Sequence, residues 1–143
     1  MFSLPEWLLM PDTNAQDADG VITKVSPHSV ADTIARLTTL VTEKNMKVFA
    51  VIDHSGEART AGLDLRDTKV VIFGSPVVGT PVMAAAPLAA LDLPLKVLVW
   101  ADQSMTMISY TAPAALAARY RLDQPLADRL GGIDALTDAV IST

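Results

Sequence analysis

The sequence predicts an α+β fold: a two-layer sandwich with a mixed or antiparallel sheet and the element order β-α-β-β-α-β-β-α-α. Early in the chain, short β-branched and aromatic runs alternate with stretches of helical periodicity. Two apolar runs, over residues 95–100 and 105–111, are separated by only four residues of turn composition. Strands with so short a connection pair antiparallel, which favours α+β over a doubly wound parallel sheet.

The first strand and the first helix are predicted over residues 21–45. Residues 21–25 have strand composition, and Ser26 and Pro27 are predicted to be the N-cap and the first residue of the helix. Apolar residues then recur at three- and four-residue steps: Val30, Ile34, Leu37 and Val41. Asn45 is predicted to end this helix in the left-handed conformation, before a strand over residues 47–52.

The middle of the chain is predicted to contain a short helical turn over residues 57–62 and a buried strand over residues 69–73. Residues 79–81, Gly-Thr-Pro, have the composition of a loop, an N-cap at Thr80 and a proline at the first helical position. Pro87 is expected to bend that helix or to split it.

The chain is predicted to consist of an N-terminal arm, residues 1–19, and one domain, residues 20–143. The first ten residues are mostly apolar, but they carry Glu6 and lack a basic region, so we expect them to pack rather than to act as a signal peptide. The domain ends in helices over residues 113–121 and 125–142. A hydrophobic fraction of 50% is high for a monomer of this size and predicts a homodimer.

The composition excludes several classes of function. The net charge is −5 and the basic residues are scattered, so nucleic-acid binding is not expected. The absence of cysteine excludes disulfides, thiolate nucleophiles and cysteine-based metal sites. The longest apolar stretch, residues 82–91, is interrupted by Pro87 and is shorter than the ~20 residues that span a bilayer. We therefore expect a soluble, cytoplasmic protein without membrane contact.

The pair of neighbouring side chains that most suggests chemistry is Asp53-His54, at the predicted end of the second strand. A carboxylate and an imidazole can share general acid–base work. Adjacent strand residues point to opposite faces, so the alternative is that Asp53 caps the following turn while His54 makes a surface or interface hydrogen bond. His54 is also better placed than His28, which lies in the first turn of a helix, to ligate haem noncovalently. The histidines form no zinc-binding motif.

A second candidate site is the glycine-bearing loop from Gly74 to Thr80, between a strand and a helix. The backbone N–H groups around Gly74, Ser75, Gly79 and Thr80 could receive an anion, although the loop has neither Walker nor dinucleotide-binding spacing. The alternative is a rigid connector in which Thr80 caps the next helix. Lys96 lies inside an apolar strand and either reaches solvent or is buried with a partner.

Six segments carry a recognisable pattern in a fixed order: residues 29–34, 48–54, 61–63, 71–76, 79–83 and 91–96. Together they cover roughly residues 20–122 and resemble the family called domain of unknown function 302. The resemblance implies a compact two-layer α+β domain, usually a tight dimer, with no established reaction. The sequence departs from the family pattern at Ser75, where asparagine is expected, and at Met105, where a glycine commonly ends the hairpin turn.

The sequence leaves three functions open. The first is a dimeric, non-catalytic module that binds a small ligand or partner in a cleft between the Asp53-His54 turn and the glycine-bearing loop, with Lys96 nearby. The second is a hydrolase or isomerase with Asp53 or His54 as general base and Lys96 or Thr80 as electrostatic partner. The third is noncovalent binding of haem or a redox ligand through His54. The residues specify neither a cofactor nor a reaction.

Overall fold

A computed structural model describes residues 19–142, and five strands of this part of the chain form one sheet. The strands are β1 (Val21–Ser26), β2 (Lys47–Asp53), β3 (Thr68–Gly74), β4 (Leu95–Asp102) and β5 (Met105–Thr111). Their order across the sheet is β1-β5-β4-β3-β2, and every neighbouring pair is antiparallel. The predicted α+β class is confirmed. The predicted N-terminal arm lies almost entirely outside the described residues.

Helices occupy most of the remaining described chain. They are α1 (Val30–Glu43), α2 (His54–Thr60), α3 (Pro76–Ala85), a 3₁₀ helix (Pro87–Leu91), α4 (Pro113–Tyr120), α5 (Gln124–Leu130) and α6 (Gly132–Ile141). Pro87 splits its segment as expected, since α3 ends before it and the 3₁₀ helix starts with it. The short helix between β2 and β3 begins at His54, earlier than the predicted turn, because Asp53 serves as its N-cap.

The main core lies between the sheet and two helices. Val71, Val97 and Val99 of the central strands are fully buried. They belong to one apolar cluster with Leu37 of α1 and Val140 of α6, which are also fully buried. Because successive side chains of a strand point to opposite faces, α1 and α6 cover one face of the sheet.

A second, smaller apolar cluster lies at one end of the sheet. It contains Val82 of α3, Ala89 of the 3₁₀ helix, Leu116 of α4 and Leu130 of α5. Leu95, the first residue of β4, packs against both clusters. Helices α3, α4 and α5 are therefore grouped at the end of the sheet where β3 ends and β4 begins.

The start of α1 differs from the sequence-based prediction. Its N-cap is Ser29, whose Oγ accepts a hydrogen bond from Asp32 N at 3.0 Å. Ser26, the predicted cap, instead completes β1, where it is buried and hydrogen-bonded to Thr33 Oγ1 at 2.8 Å. The pairing of Ser26 with Thr106 of β5 holds it in the strand.

The start of α3 also differs from the prediction. Thr80 does not cap this helix but lies inside it, because α3 begins at Pro76 directly after Ser75. Pro81, expected at the first helical position, is likewise inside. Both Pro76 and Pro81 satisfy the local rule for a first helical residue, so the composition alone does not distinguish the two starts.

Two local predictions about turns are confirmed. Asn45, which follows α1, has a φ of 59° and is in the left-handed region. The β4–β5 hairpin forms with Gln103, at a φ of 57°, and Ser104 between the strands.

Candidate functional site

A cavity of about 190 Å³ lies at the end of the sheet where β3 ends. Four of the residues predicted to bind a ligand line it: Gly74, Ser75, Gly79 and Thr80. Apolar side chains from several elements form most of the remaining wall, among them Phe49, Met83, Leu93, Leu95 and Leu130. The chain thus forms a mostly apolar site with few polar groups.

Two glycines give the cavity its shape. A Cβ at Gly79 would lie 3.7 Å from Met83 Cε and 4.0 Å from Leu93 Cδ1, so a side chain longer than a methyl group would extend into the cavity. A Cβ at Gly74 would lie 3.4 Å from Pro94 Cβ. The end of β3 therefore lies close to the Leu93-Pro94 segment. Small residues at these positions therefore keep the space open.

The polar groups of the lining come from the start of α3. Ser75 precedes the helix in an extended conformation, with φ −134° and ψ 126°, and its side chain makes no cap hydrogen bond. Its backbone carbonyl accepts from Val78 N at 3.0 Å and from Gly79 N at 2.8 Å. The hydroxyls of Ser75 and of the exposed Thr80 are therefore the side-chain polar groups at this wall.

Helix α5 is hydrogen-bonded to α3 beside the cavity. Pro81 has no N–H to donate to the carbonyl of Val77, four residues earlier. Arg129 Nη1 donates to that carbonyl at 3.4 Å. The next residue, Leu130, contributes to the cavity wall, so this bond joins the two helices that bound the site.

The wall formed by Leu93 and Pro94 is anchored through Asp92. Asp92 Oδ2 accepts hydrogen bonds from Tyr120 Oη and from Arg119 Nη1, the latter at 2.8 Å. The hydrogen bond from Tyr120, together with that from Arg119, lowers the pKa of Asp92 below its usual value. The same bond raises the pKa of Tyr120. This set of three side chains, which sequence reasoning missed, fastens the wall to the end of α4.

Asp53 and His54 lie at the opposite end of the sheet. Since β2 and β3 are antiparallel, Asp53 pairs with Lys69 at the start of β3, whereas Gly74 at its end pairs with Lys47. Five residues of extended chain separate these ends by about 17 Å. The cleft predicted between the Asp53-His54 turn and the glycine-bearing loop is therefore not formed within one chain, and that prediction is wrong.

The carboxylate of Asp53 is engaged with its own helix. Its Oδ1 accepts hydrogen bonds from Ser55 Oγ at 2.7 Å and from Gly56 N at 2.9 Å. These bonds, that of Ser55 above all, lower the pKa of Asp53. His54 is the exposed first residue of α2 and does not line the cavity. Asp53 thus has the capping role that the sequence offered as an alternative.

Lys96 lies neither in the cavity wall nor beside Asp53 and His54. It lies on β4 opposite Ile72, is exposed, and its Nζ is 3.4 Å from the carbonyl of Pro94. Of the two alternatives for this lysine, the structure shows the one that reaches solvent.

A polar cluster that sequence reasoning also missed is buried between β1 and α6. Lys24 is 1% exposed, and its Nζ donates to Thr137 Oγ1 at 2.7 Å, Asp138 Oδ1 at 2.8 Å and the carbonyl of Asp134 at 3.2 Å. The hydroxyl of Tyr110 donates to Asp134 Oδ1 at 2.5 Å. Burial and this hydrogen bond raise the pKa of Tyr110. All three ammonium protons of Lys24 have acceptors, so the cluster joins α6 to the sheet.

Residues 19–142 contain neither a cluster of candidate metal ligands nor a helix suited to cross a membrane. In this range no three histidine, aspartate or glutamate side chains are grouped so that they could hold a metal ion. None of the helices described is both long and apolar enough to cross a membrane.

Comparison with known proteins assigns the chain to a family. Residues 22–140 match the family described as Domain of unknown function DUF302. The chain belongs to the DUF302 family. A crystal structure of an uncharacterized conserved DUF302 protein from Bacillus stearothermophilus is similar to it, with a TM-score of 0.73 over 85% of this chain and 95% of the other. At 20% sequence identity, this likeness supports the DUF302 fold alone.

Curated relatives of this DUF302 chain include two proteins named fluoride-specific ion channel FluC 1, from Brucella suis and Brucella abortus. Each is 40% identical to it over 104 residues, which is 72% of this chain. The matched region is 41% of the first relative and 38% of the second. The chain thus spans about two fifths of the length of these relatives.

Proposed function

We propose that this DUF302 chain is a binding module that takes a small, largely apolar molecule into the cavity beside α3. The observation that carries the proposal is the lining, in which Gly74, Ser75, Gly79 and Thr80 meet apolar side chains around about 190 Å³. Apolar cavities of about 150 Å³ accept molecules of the size of benzene. A compound with one or two rings therefore suits this volume.

The ligand class is narrowed by the polar groups at the wall. Binding pockets usually combine an apolar lining with a few hydrogen-bonding groups that fix the orientation of the ligand. Ser75 makes no cap hydrogen bond, and Thr80 is exposed, so their hydroxyls can each serve one polar atom. A bicyclic molecule with a single N–H group, such as indole, matches this arrangement and is a suitable probe.

The test is a titration of the isotopically labelled protein with indole, followed by the amide signals in two-dimensional NMR spectra. We expect the largest shifts at residues 74–80 and around Leu93. Gly79→Leu should abolish binding because its side chain occupies the cavity. The matched control is Ala84→Leu, which adds the same side chain at an exposed position of the same helix.

The two variants separate the possible outcomes. Loss of indole binding in Gly79→Leu, with retention in Ala84→Leu and unchanged circular dichroism in both, supports the proposal. Wild-type shifts that avoid residues 74–80, or shifts that persist in Gly79→Leu, contradict it. A wild-type protein that shows no shift at millimolar indole also contradicts it.

We further propose that the module is a homodimer formed along the edge of β2. This strand is an edge strand of the sheet, and Phe49 and Val51 are 46% and 45% exposed. Antiparallel pairing of β2 with a second copy, centred on Ala50, places Lys47 opposite Asp53 and Phe49 opposite Val51. Opposite charges and apolar side chains then meet across a two-fold axis, and the exposed strand edge is covered.

Light scattering after size-exclusion chromatography tests this interface. We expect the wild type at twice the chain mass of 15.2 kDa and Val51→Lys at the chain mass. The control is Leu88→Lys, which changes a 70% exposed leucine on the 3₁₀ helix and should leave the dimer intact. A monomeric wild type, or a dimer that is disrupted by Leu88→Lys and not by Val51→Lys, contradicts the interface.

The acid–base alternative depends on Asp53 or His54 and the haem alternative on His54, and neither residue lines the cavity. No observation in the described part of the chain favours either, so we do not propose them. The fluoride-channel activity in the names of the relatives is not proposed either, because the chain spans about two fifths of those proteins. Cytoplasmic location stays a prediction from the sequence.

A further inference from the structure

The face of the sheet opposite the main core is also apolar. Val71 and Val97 pair with each other and point into the core, so their neighbours in the same strands point to the other face. The strand register then aligns apolar residues from four strands across this second face: Val25, Val70, Ile72, Leu98, Trp100 and Met107. Helices α1 and α6 lie on the opposite side of the sheet. On the second face Met107 is 5% exposed, and the other five side chains are half-buried.

Three polar side chains on this face, those of Thr23, Trp100 and Ser109, are hydrogen-bonded to one another. Trp100 Nε1 donates a hydrogen bond to Ser109 Oγ at 3.0 Å, and Ser109 Oγ lies 2.9 Å from Thr23 Oγ1. Covering these groups therefore leaves no unpaired indole N–H, which removes the main cost of excluding water from a polar surface. The second face has the chemistry of an interface.

We propose that this face binds residues 1–10 of the same chain, which lie outside the described residues. That segment, MFSLPEWLLM, has seven apolar residues and one charged residue, Glu6. Lys96, which is exposed and opposite Ile72 on this face, offers Glu6 a charge of opposite sign. Composition and charge of the segment thus complement those of the surface.

The connecting chain is long enough for this contact. The described structure starts at Asp19, next to β1, and β1 is the edge strand opposite β2. Residues 11–18 span up to about 26 Å when extended. Five strands at a spacing of about 4.8 Å extend over roughly 19 Å. Residues 1–10 can therefore reach any part of the face, including the surroundings of Trp100.

Trp100 itself reports whether the face is covered. The sequence has two tryptophans, Trp7 and Trp100, so Trp7→Phe leaves Trp100 as the single fluorophore and keeps an aromatic ring in the segment. Two double variants are made in this full-length background. One carries Leu8→Ser and Leu9→Ser, and the matched control carries Asp12→Ser and Asp17→Ser in the polar connection. The readouts are the emission maximum and quenching by acrylamide.

We expect the double leucine variant to shift Trp100 emission to longer wavelength and to increase acrylamide quenching, while the aspartate control leaves both unchanged. A synthetic peptide of residues 1–10 should reverse the shift when added in excess. Identical emission in all three proteins overturns the proposal. Emission of the Trp7→Phe protein that shifts to longer wavelength on dilution also overturns it, because a second copy then covers the face.

Discussion

Lys24 of β1 donates a hydrogen bond to Thr137 of α6 over 2.7 Å from a position that is 1% exposed. A buried lysine is stable only where its ammonium protons have acceptors, and Asp138 and the carbonyl of Asp134 supply the other two. The last helix of the described chain is thus attached to the sheet by a fully hydrogen-bonded charge as well as by apolar contact.

Substitution of Lys24 is expected to destabilise the protein strongly. Lys24→Ala should lower the free energy of unfolding by roughly 3 kcal/mol, because it leaves a cavity and an unpaired hydrogen-bonding site. Lys24→Met should cost less, since it retains most of the volume and the carboxylate of Asp138 is half-exposed and can be rehydrated. Urea denaturation measures both. Lys44→Ala, at an exposed lysine after α1, is the control and should change stability by less than about 0.5 kcal/mol.

Gly56 and Asp53 are expected to be coupled in stability. A Cβ at Gly56 would lie 2.5 Å from Asp53 Oδ2, so Gly56→Ala should displace the carboxylate that caps α2 and lower the Tm. In an Asp53→Ala background the same alanine meets no carboxylate and should lower the Tm much less. Thermal unfolding of the wild type, the two single variants and the double variant gives the coupling between the two positions. Equal effects of Gly56→Ala in both backgrounds would show that the cap is not the cause.

Acid should weaken the same cap. The pKa of Asp53 is lowered in the folded chain, chiefly by the hydrogen bond from Ser55. A carboxyl group with a depressed folded pKa stabilises the protein above its unfolded pKa, about 3.9 for aspartate, and this contribution is lost as pH falls through the folded value. Asp53→Asn should therefore make the Tm less dependent on pH below about 4. An unchanged pH profile would contradict the prediction.

The two tyrosines should resist ionisation in alkali. Burial raises the pKa of Tyr110, and the hydrogen bond to Asp92 raises that of Tyr120. A group with a raised folded pKa contributes stability below its unfolded pKa, about 10 for tyrosine, and loses it as pH rises through the folded value. Phenolate absorbance should therefore stay low near pH 10 while the chain is folded. Asp92→Asn should let one tyrosine ionise at a lower pH than in the wild type. If neither tyrosine does so, the assigned hydrogen bond to Asp92 is wrong.

Gly79→Ala is expected to stabilise the protein. Glycine inside a helix costs about 0.5–1 kcal/mol relative to alanine, and the added Cβ meets Met83 Cε at an ordinary contact distance of 3.7 Å. Urea denaturation should show a gain of that size. A loss of stability instead would mean that the wall around Met83 and Leu93 tolerates no further atom, and the cavity would be smaller than the structure shows.

The secondary structure was largely predictable because its signals are local. Strand composition over residues 21–25 marks β1, and the two-residue period of a strand places Lys24 on the face of Ile22, a signal that could have revealed its burial. The left-handed Asn45 and the break at Pro87 follow from the backbone preferences of those two residue types. The choice between Ser26 and Ser29 as helix cap was not predictable, because pairing with β5 decides it.

By itself, the sequence determined the α+β class, the position of each strand and the proximity of Gly74, Ser75, Gly79 and Thr80, since neighbours in the chain stay neighbours in space. Only the tertiary structure decided that Asp53 and His54 lie at the opposite end of the sheet from these four residues. An antiparallel partner reverses direction, so the end of β2 meets the start of β3 and lies a full strand length from Gly74. The tertiary structure likewise decided that Leu93 and Leu130, distant in the chain, complete the cavity, because packing at the end of the sheet brings their helices and loops together.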